Sequence, residues 1–281
     1  MTNRNAIRVI QGQPATDGAG VQLVRVIGQP ALTDLDPFLL LDAFRSDNPD
    51  DYIAGFPAHP HRGFETVTYL LAGRMRHRDN AGNEGVIEPG GIQWMTAGKG
   101  IVHSEMPEQQ DGLLEGFQLW INLPGSEKMT APAYQEHDAA RIPTESRDGA
   151  SIKVICGETS LGTRGPVSQP LTDPLYLDVS LDPGVEFIEK IATGHNAFVY
   201  AISGRIMLDD DGGAQLSLGR DRLAVLGPGD SVRLQAGDEA ARFLLIAGKP
   251  LHEPVARAGP FVMNTDSELR QAFLDYQSGN F

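Results

Sequence analysis

Two short motifs in this chain place metal-binding side chains two residues apart. His59-Pro60-His61 supplies a pair of imidazoles, and His103-Ser104-Glu105 supplies an imidazole and a carboxylate. Successive residues of a β-strand point to opposite faces, so each spacing puts both side chains on one face. If the two strands lie side by side in a small barrel, four donor atoms converge. Three imidazoles and a carboxylate suit a divalent transition metal such as iron, with positions open to dioxygen or substrate. Glu65 is in phase with His59 and His61, so periodicity leaves both Glu65 and Glu105 as candidates for the inward carboxylate. A buried carboxylate that does not ligate still needs a partner, such as the free N–H of a ligand imidazole.

The elements that must position these residues read as strands. Alternating runs recur at Phe38 to Phe44, Glu65 to Leu71, Phe117 to Leu123, Leu175 to Leu181, Ala197 to Ile202 and Arg242 to Ala247. Turn formers separate them, as in Glu88-Pro89-Gly90-Gly91, Asp182-Pro183-Gly184 and Gly227-Pro228-Gly229-Asp230. Pro60 removes a backbone donor, so its segment is expected at a sheet edge or at the start of a strand. Helical periodicity is confined mainly to the C-terminus. There Thr265 and Glu268 form a capping box, Leu269, Ala272, Phe273 and Tyr276 make one apolar stripe, and Gly279 suits the stop. The fold class expected is all-β with a C-terminal helix.

The chain also resembles itself. Residues 66–75 (TVTYLLAGRM) align with 197–206 (AFVYAISGRI), and Pro89-Gly90 is echoed by Pro228-Gly229. Two β-barrels of one architecture follow, 1–135 and 136–281, with the turn-rich stretch from Pro124 to Pro143 as the linker. In this alignment His59 falls opposite Lys190, His61 opposite Ala192 and Glu65 opposite Asn196, so one metal site is expected, in the N-terminal barrel.

Other features have plainer readings. His77, His137 and His252 read as exposed or structural, Trp94 and Trp120 as core or pocket wall, and Cys156 as a small buried hydrophobe. The basic run Arg74, Arg76, His77 and Arg78 reads as a solvated strand face. With 37 acidic against 23 basic residues the net charge is −14, which disfavours nucleic acid and anionic lipid as direct partners. One cysteine cannot form an internal disulfide, and the N-terminus has no apolar signal segment. No run approaches the length of a membrane span. The expectation is a cytoplasmic protein without membrane contact, and a monomer whose two barrels can pack together.

The runs Gly55-Phe56-Pro57-Ala58-His59-Pro60-His61-Arg62-Gly63-Phe64-Glu65-Thr66-Val67 and Gln93-Trp94-Met95-Thr96-Ala97-Gly98-Lys99-Gly100-Ile101-Val102-His103-Ser104-Glu105-Met106-Pro107 resemble the signature of the pirins, a branch of the cupin superfamily. Pro260-Phe261-Val262-Met263-Asn264-Thr265 does so as well. The resemblance implies a bicupin of two jelly-roll barrels, with a ligand-free C-terminal one. It implies a metal, usually iron, held by His59, His61, His103 and Glu105. A typical cupin uses the glutamate at the Glu65 position and places its last histidine soon after the Pro-x-Gly turn. Here His103 lies twelve residues past Gly91. That offset supports the pirin branch and moves Glu65 into a supporting role.

The activity implied is that of a flavonol 2,4-dioxygenase (quercetinase), with iron(II) as first choice and nickel, copper, manganese or zinc as alternatives. A flavonol-like aromatic and O2 would be the substrates, and Glu105 the catalytic base. The alternative is a non-enzymatic, iron- and redox-responsive regulator that binds a transcription or metabolic partner, such as pyruvate dehydrogenase. A small-molecule isomerase or other cupin chemistry is a further possibility, since one scaffold hosts many reactions.

Overall fold

The computed structural model describes residues 2–281. The alternating runs form the strands expected of them, extended by a residue or more at most ends, as at Phe38–Ser46, Phe64–Ala72 and Asn196–Ser203. The protein is an all-β bicupin with one α-helix, Asp266–Gln277. No helix among the described residues is long and apolar enough to cross a membrane.

Apart from a two-stranded ribbon of Ala256–Ala258 and Phe261–Met263, the strands form two pairs of antiparallel sheets with the same topology. In the first pair, a seven-stranded sheet runs in the order Ala133–His137, Ile92–Thr96, Phe64–Ala72, Leu114–Asn122, Phe38–Ser46, Val21–Ile27, Gln13–Asp17. Its four-stranded companion runs Phe56–His61, Ile101–Pro107, Met75–Asp79, Glu84–Ile87. In the second pair the corresponding orders are Ala6–Gln11, Arg222–Leu226, Asn196–Ser203, Ala241–Gly248, Leu175–Leu181, Ala150–Cys156, Thr144–Arg147, and Glu186–Lys190, Ser231–Ala236, Ile206–Asp209, Gln215–Leu218.

The two compact units are not contiguous in sequence, and so depart from a division at 135/136 at both chain ends. The N-terminal segment through Gln13 and residues 29–37 belong with Ala140–Pro250, while Leu251–Phe281 belongs with Pro14–Gly28 and Phe38–Ala139. The reason is edge completion. The Ala6–Gln11 strand pairs with Arg222–Leu226 and closes an otherwise open edge of the second sheet. In the first unit the same position is taken by Ala133–His137 on Ile92–Thr96. The Pro124 to Pro143 stretch is therefore more than a linker, since it contributes this edge strand and two 3-10 turns.

The second barrel is filled with apolar side chains, among them Phe187, Val199, Leu177, Leu245, Val232 and Phe243, all buried. The helix begins as its sequence dictates. Thr265 Oγ1 accepts from the Glu268 amide and Glu268 accepts in return from the Thr265 amide at 2.9 Å. Ala272 is buried, and Phe273 and Tyr276 pack their rings on Phe261.

Candidate metal centre

The Phe56–His61 strand lies at the edge of its four-stranded sheet, where the missing N–H of Pro60 costs no ladder bond. Its antiparallel neighbour Ile101–Pro107 sets His103 directly opposite His59, and a register shift follows between His103 and Glu105. The two strands bring three imidazoles together: the donor atoms of His59, His61 and His103 all lie within 4.8 Å of one another. His59 Nε2 and His61 Nε2 are 3.0 Å apart. His59 Nδ1 lies 2.8 Å from the Pro57 carbonyl, which can only accept. The ring proton of His59 is therefore on Nδ1, and its Nε2 lone pair faces the cluster.

The electrostatics keep the rings of His61 and His103 neutral. Burial, with the neighbouring His103 and His59 adding to it, holds His61 well below the usual imidazole range. Burial likewise lowers His103 to about 4, although Glu105 opposes the shift. Both ring nitrogens of His103 are buried without a hydrogen-bond partner. Such a nitrogen is costly to bury unless something outside the polypeptide occupies it. Three imidazoles aimed at one point, one of them with orphaned nitrogens, fit a divalent transition metal.

Glu105 stands outside this group of three but lines the same cavity. Its Oε1 accepts from Thr68 Oγ1 at 2.8 Å and its Oε2 from Gln118 Nε2 at 3.4 Å. Thr68 Oγ1 is also 2.6 Å from Gln118 Oε1, so its single proton is shared between two acceptors. Glu65 is wholly buried away from the cavity and accepts from Thr96 Oγ1 at 2.6 Å. The cavity has a volume of about 630 Å³, within the range of small-molecule sites. His59, His61, Thr68, Glu105 and Gln118 line one part of it, and Leu23, Phe44, Phe56, Met75 and Trp120 supply apolar wall. Trp120 sits edge-on to His61 with centroids 5.2 Å apart, and the Arg257 guanidinium lies 4.7 Å over its indole.

The C-terminal segment braces the chain just past His61. Lys128 Nζ, buried, donates to the Gly63 carbonyl, Asn122 Oδ1 and the Val262 carbonyl at 2.8, 2.7 and 3.1 Å. Gly63 has φ +87°, and a Cβ there would collide with the Val262 carbonyl oxygen. Arg62 donates to Asp275 of the helix at 2.6 Å and stacks on Phe281.

The remaining histidines do not join the cluster. His77 is structural, buried with Nε2 2.9 Å from Glu136 and its ring stacked on Tyr134. His137 is half-buried and His252 exposed. Trp94 is core, and Cys156 is buried with Sγ donating to the Val167 carbonyl at 3.4 Å. The basic run is neutralised on its strand face, because Arg74, Arg76 and Arg78 pair with Glu88, Glu108 and Glu84.

Sequence reading missed Thr68, Gln118, Asp42, Arg25 and Arg257 as cavity residues. The first three do carry a signal, each being a polar residue flanked on both sides by apolar ones within a strand.

Similarity to known proteins matches this architecture. The family model described as Pirin matches residues 20–121, and that of the Pirin C-terminal cupin domain matches residues 176–281. A pirin-like protein of Caulobacter vibrioides is 52% identical over the whole of both chains. Human pirin is 48% identical over 94% of this chain and 89% of its own. The crystal structure of a quercetin 2,3-dioxygenase from Acinetobacter baumannii superposes with a TM-score of 0.90 at 33% identity, covering 99% of this chain and 98% of that one. On family match, identity and fold alike, this chain belongs to the pirin family.

Proposed function

We propose that His59, His61, His103 and Glu105 hold iron(II), and that the protein is a flavonol 2,4-dioxygenase. The reaction consumes one O2, opens the heterocyclic ring and releases carbon monoxide and a depside. One observation carries this reading: three imidazoles converge beside a largely apolar cavity, which His59 and His61 line together with the buried Glu105 carboxylate. When bound, the metal supplies Lewis acidity toward the substrate hydroxyl and a redox centre where substrate and dioxygen meet.

The chain's own residues do the rest. Glu105 takes the proton of the flavonol 3-hydroxyl, and Thr68 and Gln118 fix its carboxylate by donating to one oxygen each. The Pro57 carbonyl locks the His59 tautomer. Trp120, Phe44 and Phe56 offer flat apolar surface to the substrate rings and keep bulk water off the reacting end. Glu65, tied to Thr96, supports the strand that follows His61.

The test is aerobic incubation of fully iron-loaded protein with quercetin. Bleaching of the visible absorbance with release of carbon monoxide is expected. Absence of both would contradict the enzyme reading and favour a partner-binding role.

A further inference from the structure

Thr68, Gln118, Asp42 and Arg25 line the cavity as part of a polar row that the fold itself does not require. Register partners in adjacent strands point to the same face of a sheet. In the metal-bearing unit these partners run Gln93, Thr68, Gln118, Asp42, Arg25 across five strands. The other unit has the same topology, and its corresponding row runs Ala224, Val199, Leu245, Leu177, Val154. All five of these belong to its apolar core. The self-alignment of the sequence independently sets Thr68 opposite Val199. One chain thus contains the row in a polar and an apolar version, and the apolar version closes a well-packed barrel.

The polar version has a stability cost. Arg25 binds Asp42 through two hydrogen bonds, Nε to Oδ1 at 2.9 Å and Nη2 to Oδ2 at 2.7 Å, and reaches Asp17 as well. Asp42 is 4% exposed, and burial pushes its carboxyl upward against the pull of Arg25. A buried ion pair rarely gains over apolar residues of similar size. Two oxygens that accept from one arginine retain lone pairs for further donors, and they line the cavity. Gln118 links the two ends of the row. It contacts Glu105 on one side, and Asp42 is its register partner on the other, one strand spacing away, about 4.8 Å.

We propose that Asp42, held by Arg25 and continued by Gln118, is the specificity-determining acceptor for a ring hydroxyl of the substrate. The site then takes planar aromatics that carry two kinds of hydroxyl: one at the metal end, and a second, on the far side of Gln118, that donates to Asp42. This rests on the flavonol reading and narrows it to polyhydroxylated flavonols.

The test compares quercetin with 3-hydroxyflavone, which keeps the metal-end hydroxyl and lacks the others. Affinities are measured anaerobically on iron-loaded protein, for the wild type and for the paired substitution Asp42→Leu with Arg25→Val, which copies the other barrel's row. The wild type is expected to favour quercetin by about tenfold or more, the size of one hydrogen bond to a charged acceptor. The variant should retain its iron and bring the ratio near one. Should the pair not fold, Asp42→Asn, which keeps one acceptor oxygen, should reduce the ratio without abolishing it. A wild-type ratio near one, a ratio unchanged in the variants, or no binding of either flavonol overturns the inference. Carbon monoxide release is scored separately. Selective binding without turnover keeps Asp42 as the selector and removes the dioxygenase reading, while turnover without selectivity does the reverse.

Discussion

At the residue scale, the site depends on keeping protons away from nitrogen lone pairs. Substituting His103→Ala removes one of three imidazoles and should reduce bound iron from about one per chain to under a tenth, read by elemental analysis. Glu105→Gln keeps the shape but not the base. Turnover per bound iron should then fall by about 10²–10⁴, the usual contribution of a positioned general base. The metal-free protein should also titrate. His103 is held near 4 in the folded state against 6.5 in the unfolded chain, so between those values the unfolded state binds more protons. Stability is therefore complete above pH 6.5 and falls by about 3 kcal/mol as pH drops toward 4. Urea midpoints measured across that window check it, and a flat profile would mean that His103 is not desolvated. The histidine pairs were legible because i, i+2 spacing survives any detail of the fold. Strand phase alone left Glu65 and Glu105 both open; the resemblance and the offset of His103 favoured Glu105, which lines the cavity where Glu65 does not.

At the scale of elements, the positions of the site residues come from pairings that no local pattern reveals. The six-residue strand bearing His59 and His61 is fixed on one side by Ile101–Pro107 and at its end by the C-terminal segment. Lys128 is the pin of that bracing, and burial lowers its pKa to about 8. Its ammonium supplies three donors to three acceptors. Lys128→Met would leave two backbone carbonyls and an amide oxygen buried without donors. We expect a loss of about 3 kcal/mol, with faster hydrogen exchange in residues 56–64 and faster iron release. Unchanged exchange there would mean that the tail does not brace the site. The capping box and apolar stripe of the helix could be read directly from Thr265, Glu268 and Ala272. The row from Gln93 to Arg25 could not. Asp42 and Gln118 are each polar residues between apolar neighbours, and only the register places them side by side.

At the scale of the whole molecule, duplication explains both the architecture and its asymmetry. One topology is used twice, once around an apolar core and once around a cavity with polar groups on one wall. The repeat was visible in 66–75 and 197–206, yet the exchange of chain ends was not, because strand Ala6–Gln11 finds its partner more than two hundred residues away. Charge is the other global property. The −14 net charge and the pairing of Arg74, Arg76 and Arg78 with glutamates leave no basic patch on that strand face for phosphate. Duplex DNA should therefore show no retention by the isolated protein near physiological salt, checked by fluorescence anisotropy; salt-sensitive binding would contradict this.

The central claim is that one iron sits where His59, His61 and His103 converge, with Glu105 completing its shell. The direct measurement is a crystal structure of the iron-loaded protein with anomalous data collected at the iron absorption edge. The result expected is a single peak per chain, within bonding distance of the three imidazoles and the Glu105 carboxylate. A peak bound by Glu65 in place of Glu105, or iron lodged elsewhere in the chain, would contradict it.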